Sequence, residues 1–426
     1  MISDKFRLYT SFITYLLPLV FSLLRQKLSS LIHNHTYKLL PPESCKTVLI
    51  LGGSFAGFQL AKRLCHTLPT GYRVMLVEKN SHLNYLFTFP RFSVVRGHEQ
   101  WAFIPYEGVA KGAPRGIFEF KQGEAEQVLE GEVLLKGGER VSYAYLVVAT
   151  GTLSALPSKV ASTEREGAMK ELVSMQDRIG AAQRIAVVGG GAVGVELASD
   201  IKDFYPEKDV AIIHSREQLL PSFGRRLHEH TMKIFEELGI AVLLNERPIL
   251  PQGGGVLKLL NGKEESFDLI IPCTGQRPNS SLIATLSPSS ISKTTSRILV
   301  LPTLQISDPA YPNIFSFGDV AETGGPKMAR AGFFQSEIVV SNLLALIKGK
   351  NRELKQYKPD LAMEGSIKLT LGKSRYVMYV KQNSGRELIV PMENNPVDLG
   401  VKYQWNFFGA DKKELEQESG KGGEVA

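Results

Sequence analysis

Two glycine-rich turns constrain the fold of this chain more than any other feature. The first covers residues 52–57, Gly-Gly-Ser-Phe-Ala-Gly, and the second covers residues 189–194, Gly-Gly-Gly-Ala-Val-Gly. Each follows an apolar run typical of a buried strand, at 47–51 and 184–188, and each precedes an apparent helix. Backbone N–H groups in such a turn can approach a pyrophosphate because no Cβ atom stands in the way. The chain is therefore predicted to bind two dinucleotides, unless one turn is only a strand-to-helix connection.

The residue that closes the next strand differs between the two predicted sites. An acid about 20 residues after the turn binds the ribose hydroxyls in many dinucleotide-binding units. Glu78 stands at this position after the first turn, whereas His214, followed by Ser215 and Arg216, stands there after the second. No acid is present at the second site to repel a 2′-phosphate, so NADPH is expected to be accepted at least as well as NADH. In the first turn Ser54 replaces a glycine, and a serine is small enough to be tolerated there.

Both turns open segments with the same order of elements. The first segment closes in a strand-like run ending at 149–151, Ala-Thr-Gly, and the second in a run ending at Thr274 and Gly275. We predict an α/β fold with two Rossmann-like dinucleotide-binding domains and a small α+β C-terminal domain. The predicted boundaries are 1–44 for an N-terminal segment, 45–165 with 298–348 for the discontinuous first domain, 166–297 for the second domain, and 349–426 for the C-terminal domain with a disordered tail.

Cysteine usage excludes a disulfide framework. The three cysteines, Cys45, Cys65 and Cys273, are far apart and form no C-x-x-C pair. A redox-active dithiol is therefore not expected, and no spacing typical of metal ligands is visible.

Charge gives little support for a nucleic-acid partner. The formal net charge is +7, yet residues 1–40 alone hold five cations against one acid, Asp4. No basic stripe interleaved with aromatic residues is apparent in the remainder.

The N-terminal segment is predicted to attach the protein to a membrane surface. Residues 8–24 form a run of 17 residues without a charge, which is near the lower limit for crossing a bilayer. The residues that follow alternate leucines and isoleucines with cations, a pattern suited to lying among lipid headgroups. A secretory signal peptide and a mitochondrial presequence are the alternatives. The expected location is a membrane, either facing the cytosol or in mitochondria.

The order of these motifs resembles that of the two-dinucleotide flavoproteins. Besides the two turns, it includes Glu78, Glu196 and the run 315–319, Phe-Ser-Phe-Gly-Asp. The resemblance covers roughly residues 46–405. Within these flavoproteins, the chain most resembles the apoptosis-inducing-factor-like mitochondrion-associated oxidoreductases. That branch includes ferroptosis suppressor proteins and is related to type II NADH dehydrogenases. It implies FAD in the first domain and NADPH or NADH, as electron donor, in the second.

The resemblance also implies which residues contact each nucleotide. For FAD they are Gly52, Gly53, Ser54, Phe55, Ala56 and Gly57 at the pyrophosphate, Glu78 at the adenosine ribose, Arg91 at the flavin nucleotide, Ala125 at the adenine, Thr150 and Gly151 in the turn after the strand, and Gly318 with Asp319 at the ribityl chain. For NAD(P)H they are Gly189, Gly191, Gly194, His214, Arg216 and Gly275.

Two residues are candidates for a catalytic role. Glu196 is expected near the nicotinamide, although a carboxylate there could simply stabilise the helix N-terminus. Lys327 begins the segment 327–348, which is expected to be a helix broken at Gly332 and to run along the flavin edge.

The expected electron acceptor is a lipophilic small molecule, most simply a quinone. In type II NADH dehydrogenases the flavin-edge helix carries paired glutamines that face quinone. In this chain Gln335 is present, whereas Arg330 stands where the first glutamine would be and Phe334 where its neighbour would be. Late aromatics, Trp405, Phe407 and Phe408, are expected to border the acceptor cleft, because the charged tail cannot cover the last two.

The same motifs permit two other functions. One is a tailoring oxidoreductase that acts on a specialised metabolite, and the other is a nonenzymatic pro-death or nucleic-acid-binding role. Salt-sensitive DNA binding without turnover would indicate the latter. The sequence leaves the oligomeric state open.

Overall fold

A computed structural model describes residues 4–251, 254–349 and 354–412 of the chain. Residues 413–426, which belong to the predicted disordered tail, lie outside the described residues.

The first part of the chain forms a long N-terminal helix and the elements around the first glycine-rich turn. Its helices are α1 (Asp4–Thr36), α2 (Phe55–Cys65) and α3 (Phe89–Phe92). Its strands are β1 (Lys46–Leu51), β2 (Tyr72–Glu78), β3 (His82–Asn84), β4 (Phe103–Pro105), β5 (Phe118–Gln122), β6 (Ala125–Leu129), β7 (Glu132–Leu135), β8 (Arg140–Ser142), β9 (Tyr145–Val148) and β10 (Thr152–Leu153).

The middle part contains the second glycine-rich turn. Its helices are α4 (Arg165–Ala181), α5 (Ala192–Phe204) and α6 (Arg225–Leu238). Its strands are β11 (Arg184–Val188), β12 (Asp209–Ile213), β13 (Ala241–Leu243), β14 (Gly255–Lys258), β15 (Glu264–Phe267), β16 (Leu269–Pro272) and β17 (Arg277–Pro278).

The last part returns to the first sheet and then forms a small C-terminal unit. Its helices are α7 (Ala329–Ile347), α8 (Leu361–Glu364) and α9 (Val401–Phe408). Its strands are β18 (Ile298–Leu299), β19 (Ile314–Ser316), β20 (Ala321–Glu322), β21 (Ile367–Thr370), β22 (Tyr376–Lys381) and β23 (Glu387–Met392).

Two parallel sheets carry the predicted nucleotide sites. The first has the strand order β19-β9-β1-β2-β5, and the second has the order β13-β12-β11-β16. Their central strands, β1 and β11, are almost wholly buried, as expected for parallel strands with both faces covered. The predicted α/β fold class is confirmed. The C-terminal unit is an antiparallel sheet, β21-β22-β23, with α8 and α9.

Strand register brings each turn beside the residue that closes the next strand. Leu51 pairs with Val77, which places Gly52 next to Glu78. Val188 pairs with Ile213, which places the second turn next to His214. Parallel strands thus gather both recognition residues at the carboxyl edge of each sheet, where ligands of open α/β sheets bind.

Helix α7 is not broken at Gly332, in contrast to the sequence prediction. The glycine lies within the continuous helix, and a Cβ atom there would be 3.1 Å from the Cβ atom of Ala56. Close packing of α7 on the start of α2 therefore leaves little room for a Cβ atom at this position, and the surrounding helix tolerates the glycine.

Helix α1 lies against the body of the protein at both ends. Leu8 is buried among Val380, Leu388 and Val390 of the C-terminal sheet. At the other end, His33 Nε2 lies 2.7 Å from the carbonyl oxygen of Leu68. Among the described residues, no helix is long and apolar enough to cross a membrane.

Candidate functional site

The first glycine-rich turn is crowded at three of its glycines, because a Cβ atom on Gly53 would lie 2.6 Å from the hydroxyl oxygen of Tyr106 and the backbone blocks one on Gly52 or Gly57. Gly52 has φ +98°, and a Cβ atom on it would lie 2.5 Å from the carbonyl oxygen of Ala149. A Cβ atom on Gly57 would overlap the carbonyl oxygen of Gly52. The turn can therefore bring β1, β9 and α2 together only with glycine at these positions, which leaves the backbone exposed to a phosphate group.

Glu78 is held at this turn by hydrogen bonds to its carboxylate. The N–H of Gly53 donates to Oε2 over 2.6 Å, and the N–H of Asn80 donates to Oε1 over 3.0 Å. The side-chain amide of Asn80 also donates to Oε1, over 2.7 Å, so Oε2 is the oxygen that keeps an acceptor position for a ribose hydroxyl.

A cavity of about 220 Å³ adjoins the turn. Four of the residues expected to contact FAD line it, namely Gly52, Glu78, Ala125 and Thr150. Lys79, Glu124, Asn279 and Leu282 also line it, and sequence reasoning did not identify them. The cavity's position at the carboxyl edge of β1 and β2 and its acidic and backbone groups fit the adenosine half of a dinucleotide.

Asn279 fastens the neighbouring Thr150–Gly151 turn. Its side-chain amide donates to the carbonyl oxygen of Thr150 over 2.8 Å, and Thr150 Oγ1 donates to the carbonyl oxygen of Asn279 over 2.8 Å. The backbone N–H of Asn279 also donates to the carbonyl oxygen of Gly151. The two side-chain bonds join residues 129 positions apart, which explains why no local pattern revealed them.

Asp319 follows β19 and is partly buried. Burial raises the pKa of its carboxyl, whereas Lys159, Lys327 and Arg297 act in the opposite direction. The preceding Gly318 has φ +75°, and its N–H donates to Gln335 Oε1 over 2.8 Å. Gln335 is itself buried, so it positions the Gly318–Asp319 turn instead of facing an acceptor.

Lys327 lies near this carboxylate. Its Nζ donates to the carbonyl oxygen of Ala321 over 2.7 Å. Burial lowers the pKa of Lys327, and Glu322 and Asp319 oppose that change.

Arg91, which the resemblance places at the flavin nucleotide, is held in the structure by other parts of the chain. Its side chain is fully buried, and its Nε donates to Asp200 of α5 over 2.8 Å. The other guanidinium nitrogens donate to the carbonyl oxygens of Gly372 and Lys373. A buried guanidinium requires a charged partner, and Asp200 supplies one. Arg91 therefore joins α3, α5 and the loop after β21.

The second turn repeats the geometry of the first. Gly189 has φ +130°, and a Cβ atom there would lie 2.6 Å from the carbonyl oxygen of Cys273. A Cβ atom on Gly194 would overlap the carbonyl oxygen of Gly189. Gly191 has open space in front of it, with no described atom within 4 Å of a Cβ position. Gly275, with φ +85°, is equally unobstructed.

His214 takes the place that Glu78 has in the first domain. The N–H of Gly190 donates to His214 Nδ1 over 3.1 Å. Burial lowers the pKa of His214, and Arg216 lowers it further. Ser215 and Arg216 are exposed at the mouth of the second turn.

Glu196 faces the C-terminal sheet. Its Oε1 accepts hydrogen bonds from the N–H and Oγ1 of Thr370, over 3.1 and 3.2 Å. Burial raises its pKa to about 7, and the nearby Asp200 adds to that rise. A carboxyl that titrates near neutrality can exchange a proton under working conditions.

Five aromatic rings form a continuous cluster from the first turn to the surface. This aromatic cluster consists of Phe55, Tyr85, Phe87, Phe407 and Phe408. Ring centroids lie 4.9 Å apart for Phe55 and Phe87, 6.1 Å for Phe55 and Phe408, and 5.3 Å for Phe407 and Phe408. Phe87 and Phe407 are 52% and 57% exposed, so the cluster reaches solvent at both residues.

Two of the three late aromatics, Trp405 and Phe408, are buried, whereas Phe407 is exposed as the sequence suggested. Phe408 is buried and packs edge-on against Phe58 at 4.9 Å, so it is not left uncovered. Trp405 is also buried, and its Nε1 donates to the carbonyl oxygen of Trp101 over 2.9 Å. Helix α9 docks onto the first domain through these two residues, and this docking covers them.

Comparisons with known proteins give the family and the fold. The profile of the family described as pyridine nucleotide-disulphide oxidoreductase matches residues 46–336. Fe-regulated protein 8 of Mycosarcoma maydis is 36% identical over 407 residues, which cover 87% of this chain and 97% of that protein. Ferroptosis suppressor protein 1 of Mus musculus is 32% identical over 328 residues, covering 73% and 83% of the two chains. The solved sulfide:quinone oxidoreductase of Aquifex aeolicus has a TM-score of 0.69 at 16% identity, with 88% of this chain and 94% of that chain covered.

Proposed function

Because the chain belongs to the pyridine nucleotide-disulphide oxidoreductase family, with FAD as cofactor and NAD(P)H as electron donor, we propose that it passes electrons through the flavin to a lipophilic quinone. The relatives named ferroptosis suppressor protein support an oxidoreductase of that kind. We further propose that it works at a membrane surface, facing the cytosol or in mitochondria.

An internal disulfide is not the acceptor in this proposal. Cys45, Cys65 and Cys273 are all unpaired. Burial raises the pKa of the Cys273 thiol to about 12 and that of Cys65 still further, which disfavours the reactive thiolate. Electrons must therefore leave the flavin for a separate molecule.

The aromatic cluster is the observation that carries the choice of a quinone. It connects the exposed rings of Phe87 and Phe407 with Phe55, which belongs to the first glycine-rich turn. An apolar aromatic path suits a flat hydrophobic acceptor better than a charged one. Phe333 and Phe334, at 5.7 Å from each other, add aromatic surface on α7.

Bound FAD supplies the chemistry of accepting a hydride from the nicotinamide and releasing electrons to the acceptor. The chain's own residues would position the nucleotides and exchange protons. Asp319 and Glu78 would hold the two sugars of the flavin nucleotide, while Lys327 places a positive charge beside Asp319. Glu196, hydrogen-bonded to Thr370, could exchange a proton near the second nucleotide.

Helix α1 supports attachment to a lipid surface. Its exposed apolar residues recur at helical spacing on one side, at Phe21, Leu24, Leu28 and Leu31, which are between 54% and 74% exposed. Exposed cations accompany them, as anionic headgroups require. We propose that the helix lies in the plane of the interface.

The same helix lies close to the exposed end of the aromatic cluster. Gln26 of α1 donates to Glu337, which is paired with Arg63 of α2. The adjacent Lys62 donates to the carbonyl oxygen of Phe407 over 3.1 Å. A quinone dissolved in lipid could thus enter beside α1.

The test compares two acceptors in the purified holoenzyme. F407A and F87A are expected to lower kcat/KM for a short-chain ubiquinone roughly fivefold, since a half-exposed ring contributes about 1 kcal/mol of apolar contact. Turnover with ferricyanide, a small anion that can react at the flavin edge, is expected to stay within about twofold of wild type. L260A serves as the matched control, because Leu260 is an exposed apolar residue on the second domain.

Two results would contradict the proposal. One is an equal loss of activity with quinone and ferricyanide in F407A and F87A. The other is a wild-type enzyme that reduces dioxygen faster than any quinone.

A further inference from the structure

A lysine that the proposed function does not use stands beside the Thr150–Gly151 turn. Lys159 follows β10, and its Nζ donates to the carbonyl oxygen of Thr152. The same nitrogen is 3.9 Å from the position that a Cβ atom on Gly151 would take. Gly52 is also close to this turn, since a Cβ atom there would lie 2.9 Å from the Cα atom of Thr150. The ammonium group and the first glycine-rich turn therefore both lie against the Thr150–Gly151 turn.

Lys159 is partly buried without an ion pair. Among the described residues, no carboxylate oxygen lies within 4.0 Å of its Nζ. The hydrogen bond that the ammonium group forms there goes to the backbone carbonyl oxygen of Thr152. Burial lowers the pKa of Lys159, while Asp319 and Glu78 oppose the change. An ammonium group has three donors, so a single carbonyl leaves most of its hydrogen-bonding capacity unused. A charge withdrawn from water usually has a charged partner in hydrogen-bonding contact, whereas the described part of the chain gives Lys159 a neutral carbonyl oxygen.

The two carboxylates that raise the pKa of Lys159 are expected to bind different sugars of the flavin nucleotide. Glu78 closes β2 beside Gly53, where the adenosine ribose is expected. Asp319 follows β19, where the ribityl chain is expected. In FAD, the group between these two sugars is the pyrophosphate.

We propose that Lys159 binds the pyrophosphate of FAD. Its ammonium group supplies a charge-assisted hydrogen bond from the Thr150–Gly151 turn, while the 52–57 turn supplies backbone N–H groups. Neither Lys327 nor Arg297 takes this role, because they donate to the carbonyl oxygens of Ala321 and Asp319, on the ribityl side.

The proposal is tested by nucleotide binding to flavin-free protein, which does not depend on the identity of the acceptor. Three ligands are titrated: FAD, ADP, which has the pyrophosphate without the flavin, and riboflavin, which has the flavin without phosphate. In K159Q, Kd for FAD and for ADP should rise roughly ten- to a hundredfold, the range of a charge-assisted hydrogen bond. Kd for riboflavin should not change. K159R should bind FAD nearly as wild type does.

K170Q is the matched control, because Lys170 is an exposed lysine of α4 paired with Glu166. It should leave all three dissociation constants unchanged. An ADP affinity in K159Q equal to that of wild type would overturn the proposal, as would an equal weakening of ADP and riboflavin. The ratio of ADP to riboflavin affinity does not depend on the folded fraction, so it decides the question even if K159Q is less stable.

Discussion

The imidazole of His214 accepts a hydrogen bond at Nδ1 from the backbone N–H of Gly190, at 3.1 Å. The carboxylate of Glu78 makes the same contact with Gly53, at 2.6 Å. The two domains thus use one backbone donor in the same way but with different acceptors. Because Nδ1 accepts this hydrogen bond, that nitrogen carries no proton, and burial favours the neutral ring by lowering the pKa of His214. The second domain therefore has an imidazole where the first has a negatively charged carboxylate.

This difference predicts that NADPH is used at least as efficiently as NADH. Arg216 is exposed two residues beyond His214 and is the proposed partner of the 2′-phosphate. R216E should lower the ratio of kcat/KM for NADPH to that for NADH at least tenfold, since it replaces an attractive charge with a repulsive one. Steady-state kinetics with both donors measures the ratio. R225E, at an exposed arginine of α6, should leave it unchanged; an unchanged ratio in R216E would instead remove Arg216 from the site.

Stability should depend on pH through Glu196. Burial raises the pKa of this carboxyl from 4.5 to about 7 in the folded protein. As pH rises, the unfolded chain loses this proton near pH 4.5, whereas the folded protein keeps it until about pH 7. Because the unfolded chain binds fewer protons in this range, the free energy of unfolding falls between about pH 4.5 and 7. The side chain of E196Q cannot ionise, and its amide oxygen can still accept from Thr370. E196Q should be more stable than wild type at pH 8 by up to about 3 kcal/mol, with the difference shrinking as pH falls to about 5.

Urea unfolding of the FAD-loaded protein at several pH values measures this difference. E236Q, at an exposed glutamate of α6, is the control and should parallel wild type. A constant difference between E196Q and wild type across the pH range would show that the pKa of Glu196 is the same in the folded and unfolded protein.

Asp319 should be required for flavin retention. D319N keeps the shape of the side chain but removes the charge that is expected to accept from the ribityl chain. FAD that copurifies with D319N should fall, and Kd for added FAD should rise roughly tenfold, since a hydrogen bond to a charged group contributes about 1.5–3 kcal/mol. Absorbance in the flavin bands measures occupancy. D177N, at an exposed aspartate of α4, should retain normal occupancy. Full flavin content in D319N would contradict the assignment.

Membrane attachment should depend on the exposed face of α1. Replacing Phe21, Leu24 and Leu28 with serine removes apolar surface without disturbing Leu8 or His33, which hold the helix on the body. Sedimentation with anionic vesicles should decrease at least tenfold, while ferricyanide turnover stays at the wild-type level. L260S is the control. Wild-type protein that stays in the supernatant with these vesicles would refute attachment, and resistance to carbonate extraction would refute the interfacial position.

The sequence by itself determined the two strand-turn-helix units and the family. Gly52, Gly57, Gly189 and Gly194 are required by contacts within a few residues or with the adjacent strand. Such contacts are fixed by local backbone geometry, so they leave a regular pattern in the chain. The positions of Glu78 and His214 followed because parallel strands have one register with their neighbours.

Only the tertiary structure decided the partners of side chains that meet across long separations. Arg91 pairs with Asp200, Thr150 forms hydrogen bonds with Asn279, and Lys159 lies beside the Thr150–Gly151 turn. Phe408 is buried by α2 although the chain after it is charged, and Gly332 serves helix packing although its type suggested a break. In each case the deciding neighbour comes from a distant segment. Periodicity and composition report a residue's local preference, whereas burial and charge pairing depend on which surfaces meet after the chain has folded.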